Sequence, residues 1–119
     1  MNLRMTKAEQ RKAFMGLRDM CKNPEVEEIG GHLYSKGEEY SELYKVLDKT
    51  GNFDVDYADH LDGKDVYALA SRPDKLSFQE CCTVLTFILR SEHWSEGSFA
   101  EALKDGTVYK LLSRAVEAM

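Results

Sequence analysis

The sequence is poor in the residues that build stapled or metal-held folds. Its three cysteines, Cys21, Cys81 and Cys82, are odd in number and two are adjacent. That spacing suits neither a secreted disulfide framework nor a C-x-x-C metal knuckle, so reduced and mostly buried thiols are expected. Proline occurs only twice, and Pro24 and Pro73 both read as punctuation outside helix interiors. No apolar run reaches the roughly 18 residues that a membrane-spanning helix needs. The opening "MNLRMTKAEQRKAF" also lacks an apolar stretch of signal-peptide length, so a cytoplasmic protein with no membrane partner is expected. An excess of bases is missing too. The net charge is -5 at pH 7, which disfavours a general nucleic-acid binder because the phosphate backbone would be repelled.

What is present is enough for one core. A chain of 119 residues has the length of a single domain, and its 43% hydrophobic and 31% charged residues are those of a folded chain with a solvated surface. One domain over 1–119 is expected. The acidity is regional. Residues 1–18 hold five bases against Glu9 (+4), residues 19–65 hold thirteen acids against five lysines (-8), and residues 66–119 hold six bases against seven acids (-1). The electrostatic complement of the middle segment is a basic surface.

Four S/T-x-x-E patterns, Thr6/Glu9, Ser35/Glu38, Ser77/Glu80 and Ser98/Glu101, have the form of capping boxes that open helices. Helical periodicity follows in Tyr40, Leu43, Tyr44 and Leu47 and in Val108, Leu111, Leu112 and Ala115. Phe78, Cys81, Cys82, Val84, Leu85, Phe87, Ile88 and Leu89 cover nearly the whole circumference of a helix at 76–94, which marks it as buried on most sides. The expected fold is all-α: a compact bundle of about five to six helices around that central helix, with helices at 6–22, 38–49, 98–105 and 107–118 and a less regular one near 25–34. A small β hairpin near 52–70 is the alternative for the segment between Gly51 and Ala70.

Candidate chemistry is thin. On a helix the side chains of adjacent Glu92 and His93 diverge by about 100 degrees, a poor arrangement for an acid-base pair. His32, His60 and His93 show no metal-ligand spacing. The carboxylates of "DVDYADHLDGKD" lack the D-x-D-x-D-G pattern that wraps calcium. Cys81 and Cys82 sit mid-helix in the most apolar segment, where a thiol behaves as a small hydrophobe rather than a nucleophile. "IGGH" has neither a preceding strand nor a lysine to make a phosphate loop. No enzyme, cofactor or metal is expected.

The corner "RSEHWSEGSFAEALKDGT" (90–107) reads first as structure. Arg90 suits the negative end of the preceding helix, Gly97 lets the chain reverse, Ser98 starts the next helix, Lys104 lies in its last turn, and Asp105-Gly106 stops it. Arg90 is expected to pair internally with Glu96, Glu101 or Asp105, and Trp94 to pack with Phe99. The longer stretch "LTFILRSEHWSEGSFAEALKDGTVYKLLSR" (85–114) resembles the C-terminal signature of a small uncharacterised family of bacteria and their phages. That signature has an R-x-E-R-F-x-x-G turn and a D-G-T-I helix start. The matching positions are Arg90, Glu92, His93, Trp94, Gly97, Asp105, Gly106, Thr107 and Val108, with His93 and Trp94 as departures in residue type, and "YSELYKVLDKTGNFDVDYADH" is similar in spacing to the family's middle segment. The resemblance implies a helical domain in a phage or mobile-element setting, hence a bacterial host cytoplasm, and says nothing about catalysis.

The functional expectation is protein binding through the acidic middle. Asp54, Asp56, Asp59, Asp62, Tyr57, Glu38, Glu39 and Glu42 would face a partner with a basic surface, with Tyr34 and Tyr67 exposed nearby. In a phage setting such a partner is a nucleic-acid-handling defence complex, and the protein an inhibitor of the anti-CRISPR type. The alternative is a small-molecule or nucleotide-signal module with a pocket at the corner of Arg90, Glu92, His93, Trp94, Lys104 and Asp105, in which arginine would hold an anion and tryptophan a base. A regulatory adaptor dimerising through Val116 and Met119 on the last helix is a third expectation.

Overall fold

A computed structural model describes residues 5–119, and Arg4 of the basic terminal segment lies outside them. Among the described residues are seven α-helices, a 3-10 turn and one two-stranded hairpin. Their order is α1 (Lys7–Met20), β1 (Val26–Ile29), β2 (His32–Ser35), α2 (Glu39–Lys49), α3 (Tyr57–His60), α4 (Val66–Ser71), the 3-10 turn (Pro73–Lys75), α5 (Phe78–Ser91), α6 (Ser98–Lys104) and α7 (Thr107–Ala118). The chain is mostly helical. Its radius of gyration of 13.8 Å is close to the roughly 13.5 Å of a compact chain of this length.

Two of the four S/T-x-x-E patterns are reciprocal capping boxes. Thr6 and Glu9 open α1, and Ser77 and Glu80 open α5, each side chain satisfying the other residue's backbone N–H. The other two differ for local reasons. Ser35 ends a strand, and its hydroxyl donates to Glu39 Oε1 at 3.0 Å instead of capping α2. Ser98 is already the first residue of α6, because left-handed Gly97 (φ 91°) occupies the cap.

The irregular helix expected near 25–34 is a hairpin. Val26 pairs with Ser35 and Ile29 with His32, antiparallel. Gly30 and Gly31 (φ 60° and 85°) supply the two positive-φ positions of a primed two-residue turn. The hairpin considered for 52–70 is absent from that segment, which forms α3 and α4 instead. Asp65 starts α4 by accepting the Ala68 N–H at 3.1 Å, a cap that commits the chain to a helical turn.

Helix α5 runs over 78–91 rather than 76–94, and it packs against α2, α3, α4, α6 and α7. Leu85 is wholly buried on it, as are Cys81, Cys82 and Val84. Burying one such aliphatic side chain contributes about 1.5–3 kcal/mol. Helix α7 also packs on α1, and the Phe14 and Phe78 rings meet edge to face at 5.3 Å where α1 approaches the start of α5. All three cysteines are buried and unpaired. Burial pushes their thiols up, to about 12 for Cys21, about 11 for Cys81 and about 12 for Cys82, the opposite of an activated nucleophile.

Candidate functional site

The turn between α5 and α6 is held by one carboxylate. Glu92 accepts the backbone N–H groups of Gly97 (2.9 Å) and Phe99 (3.0 Å), closing the loop on itself, and Ser91 Oγ meets Ser98 Oγ at 2.8 Å beside it. The hairpin docks onto this turn. His32 Nδ1 lies 3.2 Å from the Glu96 carbonyl, and the Tyr34 hydroxyl donates to the Glu96 carboxylate. The Leu33 backbone comes so close that a Cβ on Gly97 would meet Leu33 N at 3.1 Å and O at 3.2 Å. Glu96 and Gly97 therefore join the hairpin to the helices. The hydrogen bond to Glu96 also raises the Tyr34 hydroxyl above its ordinary pKa.

The other corner residues separate. Arg90 is half-buried in the last turn of α5, as its sequence position suggests, but it forms no ion pair with Glu96, Glu101 or Asp105 among the described residues. Its guanidinium instead lies 5.1 Å from the centroid of the Phe53 ring, an aromatic face that satisfies a cation without a carboxylate. Trp94 does not pack with Phe99. Trp94 is 60% exposed and meets Phe87 at 5.9 Å, while Phe99 is buried against Tyr40 at 5.1 Å. His93 and Lys104 are exposed, and Asp105 accepts the Thr107 N–H at 2.9 Å to start α7.

A cleft of about 380 Å³ opens beside Trp94, between α4, the end of α5 and α6. Its lining includes Tyr67, Phe87, Trp94, Ser98, Glu101 and Asp105. Neither Arg90 nor Lys104 borders it; Lys104 lies on a separate shallow groove with Leu33. The polar groups at this corner cleft are therefore hydroxyls and two carboxylates, so a nucleotide's phosphates would meet like charge.

A polar cluster occupies the interior where an exposed acidic edge was expected. Asp54 is buried: its carboxylate accepts from Thr83 Oγ1 (2.6 Å), His60 Nδ1 (2.6 Å) and Asp56 N (3.0 Å), while its own N–H donates to Thr86 Oγ1 (3.1 Å). Burial pushes the Asp54 carboxyl up, but the hydrogen bonds from Thr83, His60 and the Asp56 N–H outweigh it and hold the group below the ordinary carboxylate value. The hydrogen bond to Asp54 raises His60 above its ordinary 6.5, with Asp56 and Asp59 adding to the attraction. His60 reaches from α3 to the buried acid, so the cluster ties α3 to α5. A depression of about 240 Å³ lies against His60, with Lys64 and Glu80 at its edge and Leu61, Leu69 and Val84 in its wall. No group of three or more His, Cys, Asp or Glu side chains is arranged to hold a metal among the described residues.

The eight expected partner-facing residues thus fall into three sets. Asp56, Asp59, Asp62 and Glu38 are exposed. Asp54 and Glu39 are buried and therefore closed to a partner, Asp54 by its hydrogen-bond cluster and Glu39 by folding over Gly37 to accept from Ser35. Glu42 is partly covered and pairs with Lys45 at 3.4 Å, and Tyr57 is half-buried against Phe87 at 6.2 Å. Of the other tyrosines, Tyr34 is tied down at the corner, whereas Tyr67 is 81% exposed. Sequence reasoning missed Thr83 and Thr86; the signal that marks them is two hydroxyls set three apart within the otherwise apolar run 81–89. Tyr67 and Glu101 as cleft residues had no such signal, because only the docking of α4 and α6 on α5 brings them to one cleft.

No helix of the described residues is long and apolar enough to cross a membrane. No curated protein and no solved structure matches the chain. A family model matches residues 4–119, and the chain belongs to that family, a family of unknown function (DUF6508).

Proposed function

We propose that the protein is a non-enzymatic binding module whose acidic surface engages a protein partner with a basic face. The observation that carries this is the state of the exposed carboxylates. Glu27, Glu28, Glu38, Asp56, Asp59 and Asp62 are exposed and take part in no ion pair among the described residues. A field of unneutralised carboxylates costs self-repulsion that a basic partner relieves, and it steers such a partner into encounter. Inhibition of a host nucleic-acid-handling defence complex, of the anti-CRISPR type, is the narrower form of the proposal. It rests on the same complementarity, since a channel built for phosphates presents lysines and arginines.

The test is affinity capture from bacterial lysate at low salt, with stepwise salt elution, using wild type beside a triple variant with Asp56→Lys, Asp59→Lys and Asp62→Lys. A basic protein or complex retained by wild type, released by moderate salt and lost by the variant is the expected result. Retention indifferent to both salt and the reversals would overturn the proposal.

A further inference from the structure

We infer that the cleft between α4, α5 and α6 receives an arginine side chain from the bound partner. This rests on the protein-binding proposal and assigns it a specific pocket. The cleft combines three features that seldom coincide without use. It is concave, and its 380 Å³ sits at the small end of the roughly 300–1,000 Å³ that ligand pockets occupy, which suits one extended side chain rather than a folded element. It groups exposed aromatic surface, Trp94 at 60% and Tyr67 at 81%, and exposed rings gathered at one concave site mark an interaction surface. It also places Glu101 and Asp105 on the same rim, and neither is in an ion pair among the described residues.

Arginine matches this set better than any other side chain. Its methylene stem lies against apolar wall such as Ala70 and Ile88. Its planar guanidinium stacks on an indole or phenol face while its N–H fork meets carboxylates. Lysine offers the charge without the plane, so weaker binding is expected. The two carboxylates differ in freedom. Asp105 already accepts the Thr107 N–H, whereas Glu101 makes no side-chain hydrogen bond among the described residues and is the principal acceptor for the incoming cation.

Trp94 is the single tryptophan of the chain, so one indole N–H signal reports the cleft without assignment ambiguity. The full-length protein, labelled with nitrogen-15, would be titrated with a blocked five-residue peptide, Gly-Gly-Arg-Gly-Gly, and with its lysine and citrulline analogues, up to about 10 mM, because a lone side chain binds in the millimolar range. A saturating indole shift with the arginine peptide, weaker with lysine and absent with citrulline, is expected. E101Q should weaken the arginine response about three- to fivefold. Because Glu101 is exposed, that variant keeps the fold, and its unchanged amide spectrum away from the cleft verifies this. No shift with the arginine peptide, or an equal shift with citrulline, overturns the inference. The first of these results, obtained alongside a capture that is lost on the α3 charge reversals, would remove the pocket while leaving the acidic-surface proposal standing. A cleft response obtained without any captured basic partner would do the reverse.

Discussion

Asp54→Ala deletes a buried carboxylate that accepts from Thr83 Oγ1 at 2.6 Å, His60 Nδ1 at 2.6 Å and Asp56 N at 3.0 Å. One hydrogen bond to a charged group is worth about 1.5–3 kcal/mol, but three of them do not add here. The Thr83 hydroxyl keeps the Gln79 carbonyl at 3.0 Å, and the His60 side chain, 58% exposed, turns to water. The Asp54 N–H to Thr86 bond is a backbone contact that alanine retains. A net loss of about 2–3 kcal/mol follows, or roughly 10 °C in Tm for a chain of this size. Urea denaturation followed by circular dichroism near about pH 6, where both partners are charged, measures it. Asp56→Ala and Asp59→Ala, which remove exposed carboxylates, should stay within about 0.5 kcal/mol of wild type. In Asp54→Ala the His60 titration, read by NMR, should fall back toward the ordinary 6.5. If Asp54→Ala were no more destabilising than Asp59→Ala, or if His60 kept its raised pKa without Asp54, the buried cluster would not hold the segment as described.

The same pair sets a pH dependence. His60 is raised, so its contribution is complete below 6.5 and fades as pH climbs through its folded value; Asp54 is lowered, so its contribution is present above 3.8 and is lost as pH falls through its folded value. The stability gap between wild type and His60→Gln should therefore be widest in weakly acidic solution and close toward about pH 9 in parallel melting series; a gap that does not change over that range would contradict the pairing. Gly97→Ala forces a non-glycine residue to φ 91° and brings a Cβ to 3.1 Å from the Leu33 backbone. It should cost about 2–3 kcal/mol by denaturant titration, with the hairpin amides losing hydrogen-exchange protection first. Leu85→Ala, at the wholly buried centre of α5, should cost about 2–5 kcal/mol in the same measurement. Cys21, Cys81 and Cys82, buried with raised thiols, should react with a thiol reagent only in denaturant; rapid labelling of the native protein would count against the packing of α1 and α5.

Much of the helical skeleton is legible in the sequence because helix signals are local. Thr6/Glu9 and Ser77/Glu80 stand immediately before their helices, and the apolar stripes of 39–49 and 107–118 repeat with helical period. The hairpin was hidden by a misassigned glycine pair. Rejected as a phosphate loop for want of a preceding strand and read as a helix break, "IGGH" says little; read as two positive-φ residues between the strands "VEEI" and "HLYS", it specifies a primed turn. Composition also misled at Asp54. Five aspartates between 54 and 65 look like one solvated face, yet the first is drawn inside by Thr83 and Thr86 of α5, about thirty residues away in sequence. Contacts of that range leave no periodic trace. At the corner, Gly97, Asp105 and Gly106 act where their types indicate, while Arg90 lies over the Phe53 ring; Glu96 and Asp105 are taken by Tyr34 and the Thr107 N–H, and Glu101 lines a cleft that Arg90 does not border.

The acidic surface as a docking face is tested most directly by the association rate of the captured partner, followed by stopped-flow fluorescence across ionic strength. Electrostatically steered binding predicts a rate that falls at least about tenfold between roughly 20 and 300 mM NaCl, and a further fall when Asp56, Asp59 and Asp62 are replaced by lysine. A rate that stays flat with salt and is untouched by those replacements would contradict it.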